Sequence, residues 1–428
     1  MREHRPTRRL LPMLCLGLTA ILSTGPAAVA TRGPVSPVVA HSDAAHVHQL
    51  TRVSAADQAI RLQGLLGQHS ILAADLMRSR IRGDDSFVQA ADAALGENTD
   101  AMTGLIGQLF GAAAATQFGP MWSDHVVDLV AYAAGVADQD TGALARARAQ
   151  LTGSEQALAD FFAGASQGRL PRAAARDAVL MHVNHLTQQA DAYAAGDYAT
   201  ADRLYRQSFQ HTYDLGLTLA EALLPAADRA TLREPVWRLR SQLGKLLAEH
   251  AALVEDVSRA AVTGTPDFDA AAEMINGNTR DVAAAVDTLF GAPVARRFQA
   301  QWASHVEQLV AYADATGAGQ NDRKQRAREA LHNFERGLAA ILAPATGGRM
   351  TPAALTAALV QHDEMLLRHA DLYAAKDYQG AHEVAGQIYE HMFELARRLA
   401  DGFGAQVAAR LPRGGPETGH GGLAGGHR

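Results

Sequence analysis

Eight histidines in this sequence recur as matched pairs, and imidazole is the side chain best suited to hold a transition metal or move a proton near neutral pH. His69 pairs with His250, His125 with His305, His182 with His362 and His211 with His391, at separations of 180 or 181 residues. Each sits among apolar residues at helical spacing. Leu62, Leu65, Leu66, His69, Leu72 and Leu76 form one stripe, and Phe118, Trp122, His125, Leu129 and Tyr132 follow alternating steps of four and three. Val179, His182 and Leu186 line up, as do Leu359, His362 and Leu366. Leu204, Ser208, His211, Leu215 and Leu219 match Val384, Ile388, His391, Leu395 and Leu399. This spacing places all eight imidazoles on the apolar face of a helix, where leucine would pack better. A buried imidazole must find a partner or cost about 1–3 kcal/mol.

Four such rings meeting at one depth of a bundle predict a transition-metal site in each half of the chain. Its ligands are His69, His125, His182 and His211 in the first half, and His250, His305, His362 and His391 in the second. An all-nitrogen donor set suits copper or zinc first, with iron or haem behind them. The task expected of such a protein is storage, buffering or delivery of the metal. Two alternatives compete. One is a haem- or metal-dependent redox protein. The other is a metal-free structural or partner-binding module in which each ring makes one buried hydrogen bond, to Asn98, Asn278, Tyr132 or Tyr312.

Other chemistry is poorly served. The single cysteine, Cys15, lies in the N-terminal apolar run, so the remainder of the chain has no thiolate ligand, disulfide or Cys-x-x-Cys-His haem attachment. A di-iron carboxylate bundle needs paired Glu-x-x-His motifs, and within the two helical units only Glu329-x-x-His332 has that spacing. His-Glu-x-x-His and Gly-x-Ser-x-Gly are absent, and no water-activating glutamate stands out, so no catalytic residue is assigned. His185, His332, His369 and His382 face Met365, Thr152, Gln189 and Asp202 at the matching positions, which suggests solvated surface sites.

The elements that must carry the rings are helices. Apolar residues recur at helical spacing throughout, aromatics are only 6% of the chain, and no window alternates as a strand would. The expected fold is all-α: two tandem helical bundles of about six helices each, 56–226 and 232–408, related by internal duplication. The stretch 98–132 matches 278–312 without a gap, sharing Asn-Thr, Leu-Phe-Gly-Ala, Trp, His-Val and Leu-Val-Ala-Tyr. In the first bundle the helices are expected near 56–82, 86–110, 116–137, 142–164, 172–195 and 198–224. Asp197 and Asp377, following the turns at Gly196 and Lys376, are the expected N-caps of the last helix in each bundle.

Residues 1–30 resemble an export signal: Arg5, Arg8 and Arg9, an apolar run over 10–22, and Ala28-Val29-Ala30 as a cleavage site. Thr7-Arg8-Arg9-Leu10-Leu11 also resembles a twin-arginine signal. The expected location is therefore extracytoplasmic, secreted or in the cell envelope, without a transmembrane segment in the mature chain. Residues 31–55 read as a flexible linker carrying His41, His46 and His48, and 409–428 as a disordered Gly/His tail with His420 and His427. A formal charge of -6 argues against nucleic acid as a partner.

Taken together, these motifs resemble a family of small exported bacterial helical-bundle proteins with one histidine on each of four core helices. The second half carries His250, Asn278 with Asp281 and Val282, His305-Val306, His362 and His391; the first carries His69, Asn98, His125-Val126, His182, Gly196-Asp197 and His211. The pattern is broken at Ala101, where an aspartate is expected, and at Lys376, where a glycine is expected. The resemblance implies a fold and a set of histidines, without an established activity.

Overall fold

A computed structural model describes residues 54–411, and among these every regular element is helical. The expected export signal, the linker as far as residue 53 and the tail from 412 onward lie outside the described residues. The first half folds as α1 (Ala55–Arg82), α2 (Asp85–Phe110), α3 (Ala112–Asp138), α4 (Thr141–Ala165), α5 (Arg172–Ala194) and α6 (Tyr198–Leu223). A short α7 (Ala226–Arg229) and a 3-10 turn at Ala230–Arg233 lead into the second half. There follow α8 (Pro235–Thr263), α9 (Phe268–Phe290), α10 (Ala292–Gly317), α11 (Asn321–Leu342), α12 (Pro352–Ala374) and α13 (Tyr378–Ala408).

The helix ends follow from their residues. Ser54 caps α1 by accepting the Asp57 N–H, and Gly83 closes it in the left-handed conformation at φ 74°. Asp197 accepts the Thr200 N–H and Asp377 the Gly380 N–H, as the sequence predicts. The turns before them are alike although their residues differ, with φ 76° at Gly196 and φ 61° at Lys376. Lysine there accepts a backbone region that glycine enters without strain. α3 begins at Ala112 rather than 116, because the run Ala112-Ala-Ala-Ala favours helix as soon as Gly111 has turned the chain.

α1 and α8 are the axes of the molecule. α1 packs against α2, α3, α5 and α6, and α8 against α9, α10, α12 and α13, which is why both are buried nearly all round. α4 and α11 stand one layer out, each touching the helices before and after it. α6 comes closest to α1 at Gly216, where a Cβ would sit 2.5 Å from the Gln63 Cα. The two halves also pack on each other, through α2 with α13, α6 with α9 and α1 with α8. One apolar cluster runs from Leu76 and Tyr132 into Leu247 and Leu309, so the core does not divide at the junction. No helix among the described residues is long and apolar enough to cross a membrane.

Charge is buried where the halves meet. Arg78 on α1 is 1% exposed and reaches Asp202 on α6 at 2.8 Å and Asp256 on α8 at 3.5 Å. Arg259 binds the same Asp256 at 2.9 Å and also Asp267, which accepts the Tyr193 hydroxyl at 2.9 Å. Removing one partner from such a network leaves its neighbours charged in a dry site. Arg78→Ala should therefore cost about 3–5 kcal/mol of stability, read from urea denaturation. A loss below about 1 kcal/mol would mean that water reaches Asp202 and Asp256.

Candidate metal centres

α1, α3 and α5 each turn one imidazole into the same spot. The ring centroids lie 5.6 Å apart for His69–His125, 5.3 Å for His69–His182 and 5.4 Å for His125–His182. In the second half α8, α10 and α12 do the same, at 5.4 Å for His250–His305, 5.8 Å for His250–His362 and 5.9 Å for His305–His362. Each triad offers three nitrogens, one per ring, that lie within 4.8 Å of one another. Nitrogens bound to one ion at about 2.0–2.1 Å sit about 3.3–3.6 Å apart in tetrahedral or trigonal geometry. The His125 Nε2 and His182 Nε2 atoms already stand at 3.4 Å. The others need a closure of about 1 Å, within reach of small rotamer adjustments.

The rings are sealed in. His69, His125, His250 and His305 are 0% exposed, His182 4% and His362 2%. Burial holds every one of them below the usual imidazole range, at about 4 for His125 and about 3 for His250. For His69, His182, His305 and His362 burial acts first, and the charge of neighbouring imidazoles pushes further in the same direction. The triads are thus neutral at neutral pH and keep a lone pair on each ring, the form that ligates.

Ten of the twelve ring nitrogens have no hydrogen-bond partner. The donors of the expected partners are engaged elsewhere, and the Oδ1 atoms of Asn98 and Asn278 have no partner themselves. Asn98 donates to the Leu65 carbonyl and to Gln68, Asn278 to the Leu246 carbonyl and to Glu249. The hydroxyls of Tyr132 and Tyr312 donate to Asp191 and Asp371. A cross-bundle hydrogen bond therefore does not account for these histidines.

His211 and His391 stand beside the triads and are only half-buried. His211 Nε2 donates to the Ala178 carbonyl at 2.9 Å, and His391 Nε2 to the Ala358 carbonyl at 3.2 Å. Each carbonyl lies one helical turn before the α5 or α12 ligand, so the fourth ring braces that helix and leaves the cluster at three. Three of the four unmatched histidines depart from the expected surface positions, while the His332 side chain stays 44% exposed. His369 is only 8% exposed, and His185 and His382 are half-buried against neighbouring helices.

The surroundings are aromatic. Trp122 packs against His69 at 4.5 Å and Trp302 against His250 at 4.6 Å, each stacked in turn on Phe118 or Phe298. A haem does not fit: a macrocycle between two rings would displace the third imidazole and the tryptophan that fill the same space. One feature has no motif to announce it. Asp363 Oδ1 lies 3.4 Å from His305 Nδ1, with both side chains at most 1% exposed. Burial and the facing Glu335 carboxyl raise the Asp363 carboxyl well above its usual range. The only signal in the sequence was a charge, following His362, at the position where the first half has Val183.

No family model matches the chain, and neither curated proteins nor solved structures provide a match.

Proposed function

We propose that this is an exported metal-binding protein, built by duplication of one helical bundle, with one transition-metal centre in each half. His69, His125 and His182 hold the first ion, and His250, His305 and His362 the second. Copper or zinc suits three neutral nitrogens, and a resident ion would leave one coordination position for a fourth donor. The observation that carries this reading is the set of buried imidazoles at matching positions, ten of whose twelve ring nitrogens have no hydrogen-bond partner. A buried polar group left unpaired costs about 1–3 kcal/mol, and an ion removes that cost from three rings at once. Closure of the site favours storage, buffering or delivery over turnover of a substrate.

The test uses protein purified without an affinity tag and stripped with chelator. Added Cu2+ should bind at two equivalents per chain and quench Trp122 and Trp302, which touch the triads. Trp237, whose indole N–H donates to the Ala56 carbonyl at 3.0 Å, should keep its emission. Saturation at zero equivalents, or uniform quenching without saturation, would rule the centres out.

A further inference from the structure

We propose that Asp363 makes the two centres unequal, so that the second triad holds a divalent cation more tightly than the first. This rests on the metal-binding reading above. The second centre has a carboxyl within 3.4 Å of a ligand ring, at His305 Nδ1. Asp363 hydrogen-bonds with the Glu335 carboxyl and forms no hydrogen bond with His305. Behind it stands Glu335, 2% exposed, whose Oε2 lies 3.1 Å from His332 Nδ1 near the surface. The first half keeps Glu155 at the position of Glu335 but has Val183 for Asp363 and Thr152 for His332. Among the described residues no carboxylate makes an ion-pair contact with His69, His125 or His182.

The consequence follows from charge. Three neutral imidazoles bring no negative charge to the ion, so the whole ionic charge enters a dry interior. The Born cost of that transfer grows with the square of the charge, which penalises a dication far more than a monovalent ion. The carboxyl against His305 places acceptor oxygens beside the second centre that offset this cost, and the first centre has none. At 3.4 Å from Nδ1 the carboxyl also stands where it would accept the second N–H of His305 as the ring closes on an ion, leaving Nε2 to face the ion as a stronger donor. The first centre has only its imidazoles, which serves Cu+ at little disadvantage. Phe334, stacked on His305 at 4.2 Å, confines the ring on its other side, where the first half has Ser154.

The experiment isolates each centre in the full chain, His125→Ala leaving the second and His305→Ala the first. Zn2+ affinity is measured by chelator competition, and Cu+ affinity by competition with bicinchoninate under anaerobic reducing conditions. Zn2+ should bind the second centre at least about tenfold more tightly than the first, and Asp363→Val should erase that gap, a loss of about 10–100-fold. Asp363→Asn, which keeps the shape and loses the charge, should weaken Zn2+ as well. Cu+ affinity should change less than about threefold in both variants. Val183→Asp in the isolated first centre gives the reverse exchange and should tighten Zn2+. Equal Zn2+ affinities at the two centres, or an Asp363→Val loss shared equally by Zn2+ and Cu+, would overturn the proposal in favour of simple packing. Binding of neither ion at either centre would instead defeat the metal-binding reading on which it stands.

Discussion

Changing His125 and His305 to alanine together should give a protein that takes up no transition metal, and either change alone should leave one equivalent. Each triad has three donors and no spare. Loss of a supporting partner behind a ligand already costs about 10–100-fold in affinity, and loss of the ligand itself costs more. Nor should the metal-free variants unfold, because the substituted rings make no hydrogen bond worth keeping apart from the 3.4 Å contact between His125 and His182. His211→Ala and His391→Ala separate three ligands from four. Their Nε2 atoms are committed to the Ala178 and Ala358 carbonyls, so stoichiometry should stay at two. Elemental analysis after dialysis reads all five variants, and loss of an equivalent in His211→Ala would show that the fourth ring swings in as a ligand.

The metal-free protein should lose stability steeply as pH falls below 6.5, and the loaded protein should resist. In the fold the triad imidazoles stay neutral down to about 4 at His125 and about 3 at His250. Unfolded, they take up protons from about pH 6.5. The unfolded state therefore binds more protons in this window, and stability is complete above pH 6.5 and lost as pH drops toward 4. At pH 5.5 each ring accounts for about 1.4 kcal/mol, so six amount to roughly 8 kcal/mol, comparable with the whole stability of an ordinary domain. Asp75, Asp202 and Glu255, whose carboxyls are raised to about 7, about 6 and about 8, and Asp363, raised well above its usual range, act in the opposite direction. They are outnumbered, since His185, His369 and His382 are also held at about 4, 3 and 4 by burial. An ion at a thousand times its Kd adds about 4 kcal/mol per centre and keeps the rings unprotonated. Urea midpoints between pH 7.5 and 5.5, with and without Zn2+, measure this. A flat profile for the stripped protein would mean that the rings are hydrated.

Much of this was readable from residue order, for identifiable reasons. Helix ends were marked by local chemistry: Asp197 and Asp377 as caps, each after its turn at Gly196 or Lys376. Four-and-three spacing reports which side of a helix a residue faces, so the six triad histidines were legible as inward-pointing. The same spacing says nothing about height along the bundle or about competing backbone acceptors. For that reason His211 and His391 looked equivalent to the others, although a carbonyl holds each of them. Asp363 was hidden because a single charge beside a histidine resembles a solvated helix face until α10 and α11 close over it. The contact between halves was hidden for a similar reason. Arg78, Asp256 and Arg259 lie on helices that carry other charges, such as Arg80, Arg82, Lys245 and Glu249, so nothing in the pattern distinguishes a charge buried in a seam from one on a solvated face.

That seam has a consequence for cutting the chain. Arg78 pairs with Asp202 in its own half and reaches Asp256 in the other, where Arg259 holds the same carboxylate. Either half alone would keep its own ion pair but open it, with the apolar residues around it, to water. The short junction between the halves therefore does more than connect them: it keeps each one supplied with the cover that holds its charges dry.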